Sequence, residues 1–217
     1  MPRAKRTAPL VIGVTGHRNI GARTRKLAAL VRAECARLRK DHRGRQFTIL
    51  SPLAEGADRL VARIAMDVLD ARLVVPLPLP LDDPDGYEKD FPASVKEFRR
   101  LLAKAGDVVP GPLRSRDGRW RGYTEVRNRQ YAWVGAYVAE RAEVLFAIWD
   151  GKPARGTGGT AQIVRWYLGG KVPKAYTTMK SRPAASSGRT KRTRKGAGRL
   201  LIHVNPETGE VARTPAV

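Results

Sequence analysis

The apolar residues fall into two patterns. Short, mostly apolar runs occur at Leu10–Val14, Phe47–Leu50, Leu73–Leu81, Val144–Trp149 and Leu200–Val204. Between them lie stripes at helical spacing. One holds Leu27, Leu30, Val31, Cys35 and Leu38; another holds Leu60, Val61, Ile64, Ala65, Val68 and Leu69. Further stripes pass through Val95, Phe98, Leu101 and Leu102, through Val126, Gln130, Trp133, Val134, Tyr137 and Val138, and through Ile163, Val164, Tyr167 and Leu168. Short runs read as buried strands and stripes as helices, so the chain predicts successive strand-turn-helix units of the α/β class. Pro76, Pro78 and Pro80 remove ladder donors, which leaves only the first half of the third run fit for a central strand. Asp107–Val109 reads as a short strand and Val172–Thr178 as a later one. A strand and turn follow at Leu200–Val211. The polar, arginine-rich stretch Gly111–Gly122 reads as a mobile loop.

Ala142–Leu168 carries the most chemistry. Its strand stops at Asp150-Gly151, the loop Gly156-Thr157-Gly158-Gly159-Thr160 follows, and a helix begins. Glycines let a backbone approach a ligand closely, and a helix start presents unpaired N–H groups that suit a phosphate. Thr157 and Thr160 add hydroxyls, and either is placed to cap the helix. The same glycines equally serve an ordinary tight strand-to-helix turn.

Two other strand ends are of interest. Thr15-Gly16-His17-Arg18 places a small residue, an imidazole and a guanidinium after the first strand, at the sheet edge where α/β proteins bind ligands. Ser51–Asp58 follows the second. Glu55 and Asp58 there fit helix-end caps and fit acceptors for ribose hydroxyls. Tyr123, Tyr131, Trp133 and Tyr137 fit base stacking, though aromatics at helical spacing serve a core as well.

Composition sharpens this. The 217 residues suffice for one α/β domain with extensions, and the net charge is +22. Eight cations and no acid lie in Lys180–Arg199, and Arg3, Lys5 and Arg6 add three; setting these aside leaves +11. Such a balance favours anionic partners. The Lys180–Arg199 segment, poor in apolar residues, reads as disordered and predicts weak, sequence-independent binding to nucleic-acid backbones. The single cysteine, Cys35, permits no internal disulfide and sits on a core-facing stripe. No run is long enough to span a bilayer, and the N-terminus lacks a signal-peptide apolar region, so a cytoplasmic protein without a membrane partner is expected. The three histidines show no zinc spacing, and neither a nucleophile elbow nor a Walker lysine motif is present.

Four segments in this order, IGVTGHR (12–18), LAEGADRLVA (53–62), AEVLFAIWDG (142–151) and GTGGTAQIV (156–164), resemble the SLOG superfamily of Rossmann-like nucleotide-binding proteins. That superfamily includes Lonely-Guy phosphoribohydrolases, DNA-processing protein A and bacterial ligand-sensing domains. The resemblance spans about residues 10–178. It implies a three-layer, doubly wound, mostly parallel sheet. It also implies one pocket formed by the loops after the first, second and fourth strands, counting the Val144 run as the fourth. The Lonely-Guy pattern PGGxGTxxE aligns Gly156 with its first glycine and Gly159-Thr160 with its Gly-Thr; Arg155 and Thr157 depart from it. Its hydrolytic glutamate falls at Ile163, which cannot act as acid or base, and neighbouring Gln162 can only hydrogen-bond.

The expected organisation is a basic extension (1–9), a nucleotide-binding domain (10–178), a basic segment (179–199) and a C-terminal strand-turn extension (200–217). The expected ligand site comprises Gly16, His17, Arg18, Glu55, Gly56, Ala57, Asp58, Arg59, Asp150, Gly151, Gly156, Thr157, Gly158, Gly159, Thr160 and Gln162. The leading expectation is a ligand sensor or carrier that binds a nucleotide-like molecule and requires no cofactor or metal. The alternatives are a nucleoside-monophosphate N-glycosidase, with Glu55 and Asp58 as its candidate catalytic carboxylates, and a nucleic-acid-binding protein. The resemblance and the apolar helix faces admit a homo-oligomer.

Overall fold

Strand β1 (Leu10–Gly16) is buried on both faces, which explains its unbroken apolar run. Leu10, Ile12 and Val14 face one side, where they meet Leu27, Val31, Cys35 and Leu38 of helix α1 (Thr24–Asp41) and Leu60, Val61 and Ile64 of α2 (Ala57–Leu69). Val11 faces the other side, among Trp133, Val134 and Val138 of α4 (Thr124–Arg141) and Ile163, Val164 and Tyr167 of α5 (Thr160–Tyr167). Two apolar layers therefore sandwich one sheet. The computed structural model describes residues 7–81, 86–112, 124–153, 157–177 and 198–216. Most of the Gly111–Gly122 loop, Tyr123, Arg155, Gly156, and nearly all of the basic segment 179–199 lie outside the described residues, as do Arg3, Lys5 and Arg6.

The sheet has seven strands in the order β4-β3-β2-β1-β5-β6-β7. These are β2 (Phe47–Leu50), β3 (Arg72–Leu77), β4 (Asp107–Pro110), β5 (Val144–Ile148), β6 (Arg199–Val204) and β7 (Val211–Ala216). All neighbours are parallel except β6 and β7. The chain steps outward from β1 to β4, with α3 (Val95–Leu102) between β3 and β4. It then crosses back and lays β5 on the other side of β1, so strand order reverses between β1 and β5. Open α/β sheets bind ligands in the crevice at the carboxyl ends of such a pair. The doubly wound, three-layer fold is the expected one.

Two parts of the sequence reading are corrected. Residues 200–216 belong to the sheet rather than to an extension beside it: β6 pairs in parallel with the whole of β5, Val144 opposite Leu200 through Ile148 opposite Val204. Lys174–Thr177 is a short helix, α6, rather than a strand, with Tyr176 packed on Trp166 at a ring separation of 5.7 Å. Cys35 is core packing, and burial together with Glu34 pushes its thiol up to about 12. Among the described residues no helix is long and apolar enough to cross a membrane.

Candidate ligand-binding site at the sheet switch point

A cavity of about 780 Å³ opens where β1 and β5 end. Gly16 lies opposite Ile148 in register, and the His17 N–H donates to the Ile148 carbonyl at 2.9 Å, which carries the pairing one residue past the strands. Beyond it the His17 ring reaches across the crevice. Its Nε2 lies 3.2 Å from the Asp150 N–H and 3.1 Å from Asp150 Oδ1. Asp150 also accepts from the Lys152 backbone N–H at 3.1 Å and pairs with Lys152 Nζ at 3.1 Å. Desolvation raises the Asp150 carboxyl, but the Lys152 and His17 hydrogen bonds outweigh it and hold the group down at about 2.

The turn after β1 is fixed from below by Gly56, whose φ is +77°. A Cβ there would stand 2.1 Å from the Arg18 carbonyl oxygen and 2.5 Å from that of His17. No side chain fits that space, and the next N–H, from Ala57, donates to the His17 carbonyl at 3.1 Å. Gly56 and Ala57 thus seat the His17–Arg18 turn and do not line the cavity.

Asp58, in the first turn of α2, does line it. It is nearly inaccessible, and burial pushes its carboxyl up to about 7, against the Ala54 N–H and the charges of Arg18 and Arg59. A second acid comes from the turn Tyr87–Asp90. Asp90 sits between two guanidinium groups, 2.7 Å from Arg127 and 3.9 Å from Arg18. Desolvation raises it despite both cations. Tyr131, one helical turn after Arg127, lines this end of the cavity, and its hydroxyl is buried without a hydrogen-bond partner among the described residues.

The third wall is the glycine loop. Thr157, Gly158, Gly159 and Thr160 all line the cavity, with Gly159 as the residue before α5. Gly158 has φ +82°, and a Cβ on it would press to 3.1 Å from the Ala132 nitrogen of α4. Its N–H donates to Gln162 Oε1 at 2.6 Å, so Gln162 braces the loop. The expected threonine cap is not seen: the residue before α5 is Gly159, and no side chain among the described residues caps the helix. Its first N–H groups are left for water or a ligand. Ile163, at the position of the hydrolytic glutamate, is an apolar part of the cavity wall.

Glu55 and Arg59 stand apart from the cavity. Glu55 accepts from the Ser94 hydroxyl in a short contact. Arg59 is 2% exposed and lies over the Phe91 ring at 4.7 Å. Its guanidinium donates to the Leu53 carbonyl (2.9 Å), Ser94 Oγ (2.8 Å) and Glu97 Oε2 (3.0 Å). Both residues tie the β2–α2 loop to α3. Gly151 turns the chain between Asp150 and Lys152 and does not contribute to the wall, and Gly156 lies outside the described residues. The structure therefore brings together Gly16, His17, Arg18, Asp58, Asp150, Thr157, Gly158, Gly159 and Thr160. It adds Asp90, Arg127, Trp149 and Lys152, which the sequence reading missed as site residues, and of the four aromatics read as fit for stacking it brings Tyr131 to the wall. Arg127 and Tyr131 were visible as an i, i+4 pair on α4; Asp90, in an aperiodic loop, gave no signal. Among the described residues no group of three or more His, Cys, Asp or Glu side chains is arranged to hold a metal ion.

No protein-family model matches the chain, and a comparison with curated proteins finds no match. Among solved structures the chain has a coarse likeness to DNA processing protein A from Helicobacter pylori, a structure described for its single-stranded DNA binding mode. The TM-score is 0.45 and the identity 19%, over 74% of this chain and 62% of the other.

Proposed function

We propose that this protein binds a nucleotide or nucleotide-derived phosphorylated molecule at the crevice between β1 and β5, as a SLOG-like sensor or carrier. The observation that carries the reading is the convergence of three loops on one 780 Å³ cavity at the strand-order reversal. A cavity of that size accommodates a ligand of nucleotide dimensions. Phosphates rest on the uncapped start of α5 at Gly158–Ala161, with Lys152 and Arg18 as counter-charges. Ribose hydroxyls and a base occupy the other end, beside Asp58, Asp90 and Tyr131. Calorimetry against nucleoside mono- and diphosphates, ADP-ribose derivatives and cyclic nucleotides tests this. A saturable heat with one of them, lost in Gly158→Val, is expected; no heat with any of them overturns it.

One observation favours a second reading, N-glycosidic hydrolysis. Asp58 is a cavity carboxyl poised at about 7, the range suited to general acid–base work at neutral pH. Glu55, held by Ser94, leaves this role to Asp58. Release of free base from a nucleoside monophosphate, followed by chromatography and abolished in Asp58→Asn, would move the assignment from binding to hydrolysis.

A further inference from the structure

At the opposite edge of the sheet lies a second concavity, of about 570 Å³, formed where β2 and β3 begin. Its walls carry Arg39, His42, Arg43, Arg45 and Arg72 against one acid, Asp70. The local sequence explains the density of charge: residues 37–46 read RLRKDHRGRQ, with five Arg or Lys and a single Asp. That Asp41 is turned toward Arg213, 3.7 Å away. Arg45 is held by Glu143 at 3.0 Å and by the Ala8 carbonyl, and Arg72 donates to the Gly106 carbonyl at 2.8 Å. Arg39 and Arg43 are exposed and make no ion pair among the described residues.

Complementing the negative end of α1 accounts for Arg39 and Lys40. It does not account for Arg43, Arg45 and Arg72, which lie beyond the helix on two other elements and face the same hollow. Two held cations, Arg45 and Arg72, and two exposed ones, Arg39 and Arg43, concentrate positive charge in one hollow, which favours an anionic partner. Pro9 forms part of the rim, and the cations Arg3, Lys5 and Arg6 precede it in sequence. The groove offers no exposed aromatic: Phe47 is 6% exposed. Unstacked bases therefore have no platform here, whereas the phosphate rows of a duplex do not need one.

We propose that this groove is a duplex nucleic-acid site that grips the phosphate backbone without reading sequence, separate from the nucleotide cavity. The two lie at opposite ends of parallel strands, so both can be filled at once. The inference does not depend on the cavity's ligand.

The test uses the full chain and a fluorescent duplex of about 20 base pairs, with anisotropy followed across a salt titration. Arg39→Glu combined with Arg43→Glu removes two phosphate contacts. It is expected to lower affinity on the order of ten- to a hundred-fold at 0.1 M salt and to flatten the log–log salt slope by about 2. Arg18→Ala, in the cavity, is expected to leave both unchanged. Should the charge reversal unfold the chain, Arg39→Gln with Arg43→Gln gives the same slope change with a smaller loss. An affinity and slope within two-fold of the parent overturn the proposal, as does loss of all duplex binding on deleting residues 180–195 alone. Tighter binding to single strands or to vesicles of anionic lipid than to the duplex overturns the choice of partner.

Discussion

His17 and Asp150 clasp the crevice from its two sides, the imidazole Nε2 standing 3.1 Å from Asp150 Oδ1 and 3.2 Å from the Asp150 N–H. The first belongs to the turn after β1 and the second to the turn after β5, so the contact sets the width of the cavity mouth. His17→Ala is expected to weaken nucleotide binding about five-fold, the effect of one lost hydrogen bond. Melting temperature should change little, because neither strand depends on the ring. Calorimetry and thermal unfolding on one preparation separate the two effects; a large fall in melting temperature with unchanged affinity would refute this role.

Asp58 makes stability depend on pH in an unusual direction. Its ordinary value is 3.8 and its folded value about 7. Between these, the unfolded chain has released the proton while the folded chain still holds it. Its contribution to stability is therefore fully present below about pH 4, is lost as pH rises to about 7, and is flat above. The slope corresponds to a loss of up to about 4 kcal/mol at 1.36 kcal/mol per unit. Urea unfolding at pH 5 and pH 8 should show it in the parent and much less in Asp58→Asn, which mimics the neutral acid. A parent as stable at pH 8 as at pH 5 contradicts the assignment. Phosphorylated ligands should bind more tightly at pH 6 than at pH 8, since a neutral Asp58 repels them less.

Tyr131 lines the cavity and carries a buried hydroxyl without a partner among the described residues. An unsatisfied buried hydroxyl costs about 1–3 kcal/mol. Tyr131→Phe should thus leave the free protein as stable as the parent or more so, while nucleotide affinity falls. Equal affinity in both proteins would show that the ligand does not use this group.

Arg59 separates structure from recognition. It holds the carbonyl of Leu53, a buried non-glycine residue at φ +59°, together with Ser94 and Glu97. Arg59→Ala leaves the strained loop without its ties to the Leu53 carbonyl and Ser94, while Glu97 keeps its pair with Arg63 at 2.8 Å. A loss of about 2–4 kcal/mol is expected, read by chemical denaturation. The fraction still folded should bind nucleotide with parental affinity; a specific loss of affinity would place Arg59 in the site.

The turn after β1 and the glycine loop before α5 were legible because each follows an unbroken apolar strand and precedes an amphipathic stripe. Gly158 and Gly159 then reach the cavity as the spacing implied. Glu55, Asp58 and Arg59 are adjacent in sequence but diverge in space. Helical rotation sends Asp58 to the cavity and Arg59 under the loop, and only α3 shows what Arg59 touches. Ser94 and Glu97 are 35 and 38 residues from it, beyond any local pattern. The fate of Leu200–Val204 was hidden for a related reason. A short apolar run shows that it is a strand but not which strand it joins.

The seating of β6 beside β5 makes the cavity a late product of synthesis. As the chain leaves the ribosome, β5 emerges with about fifty residues still to come before its second neighbour. Until Arg199–Val204 arrive, the apolar strand Val144–Ile148 is an open edge, the kind of surface that recruits other chains. The same arrival fixes the cavity wall: the Trp149 N–H donates to the Val204 carbonyl at 3.2 Å, and the His203 ring bonds the Trp149 carbonyl at 2.8 Å. A nascent chain halted near residue 178 would carry every loop of the nucleotide site yet present it beside a sticky, unfinished sheet.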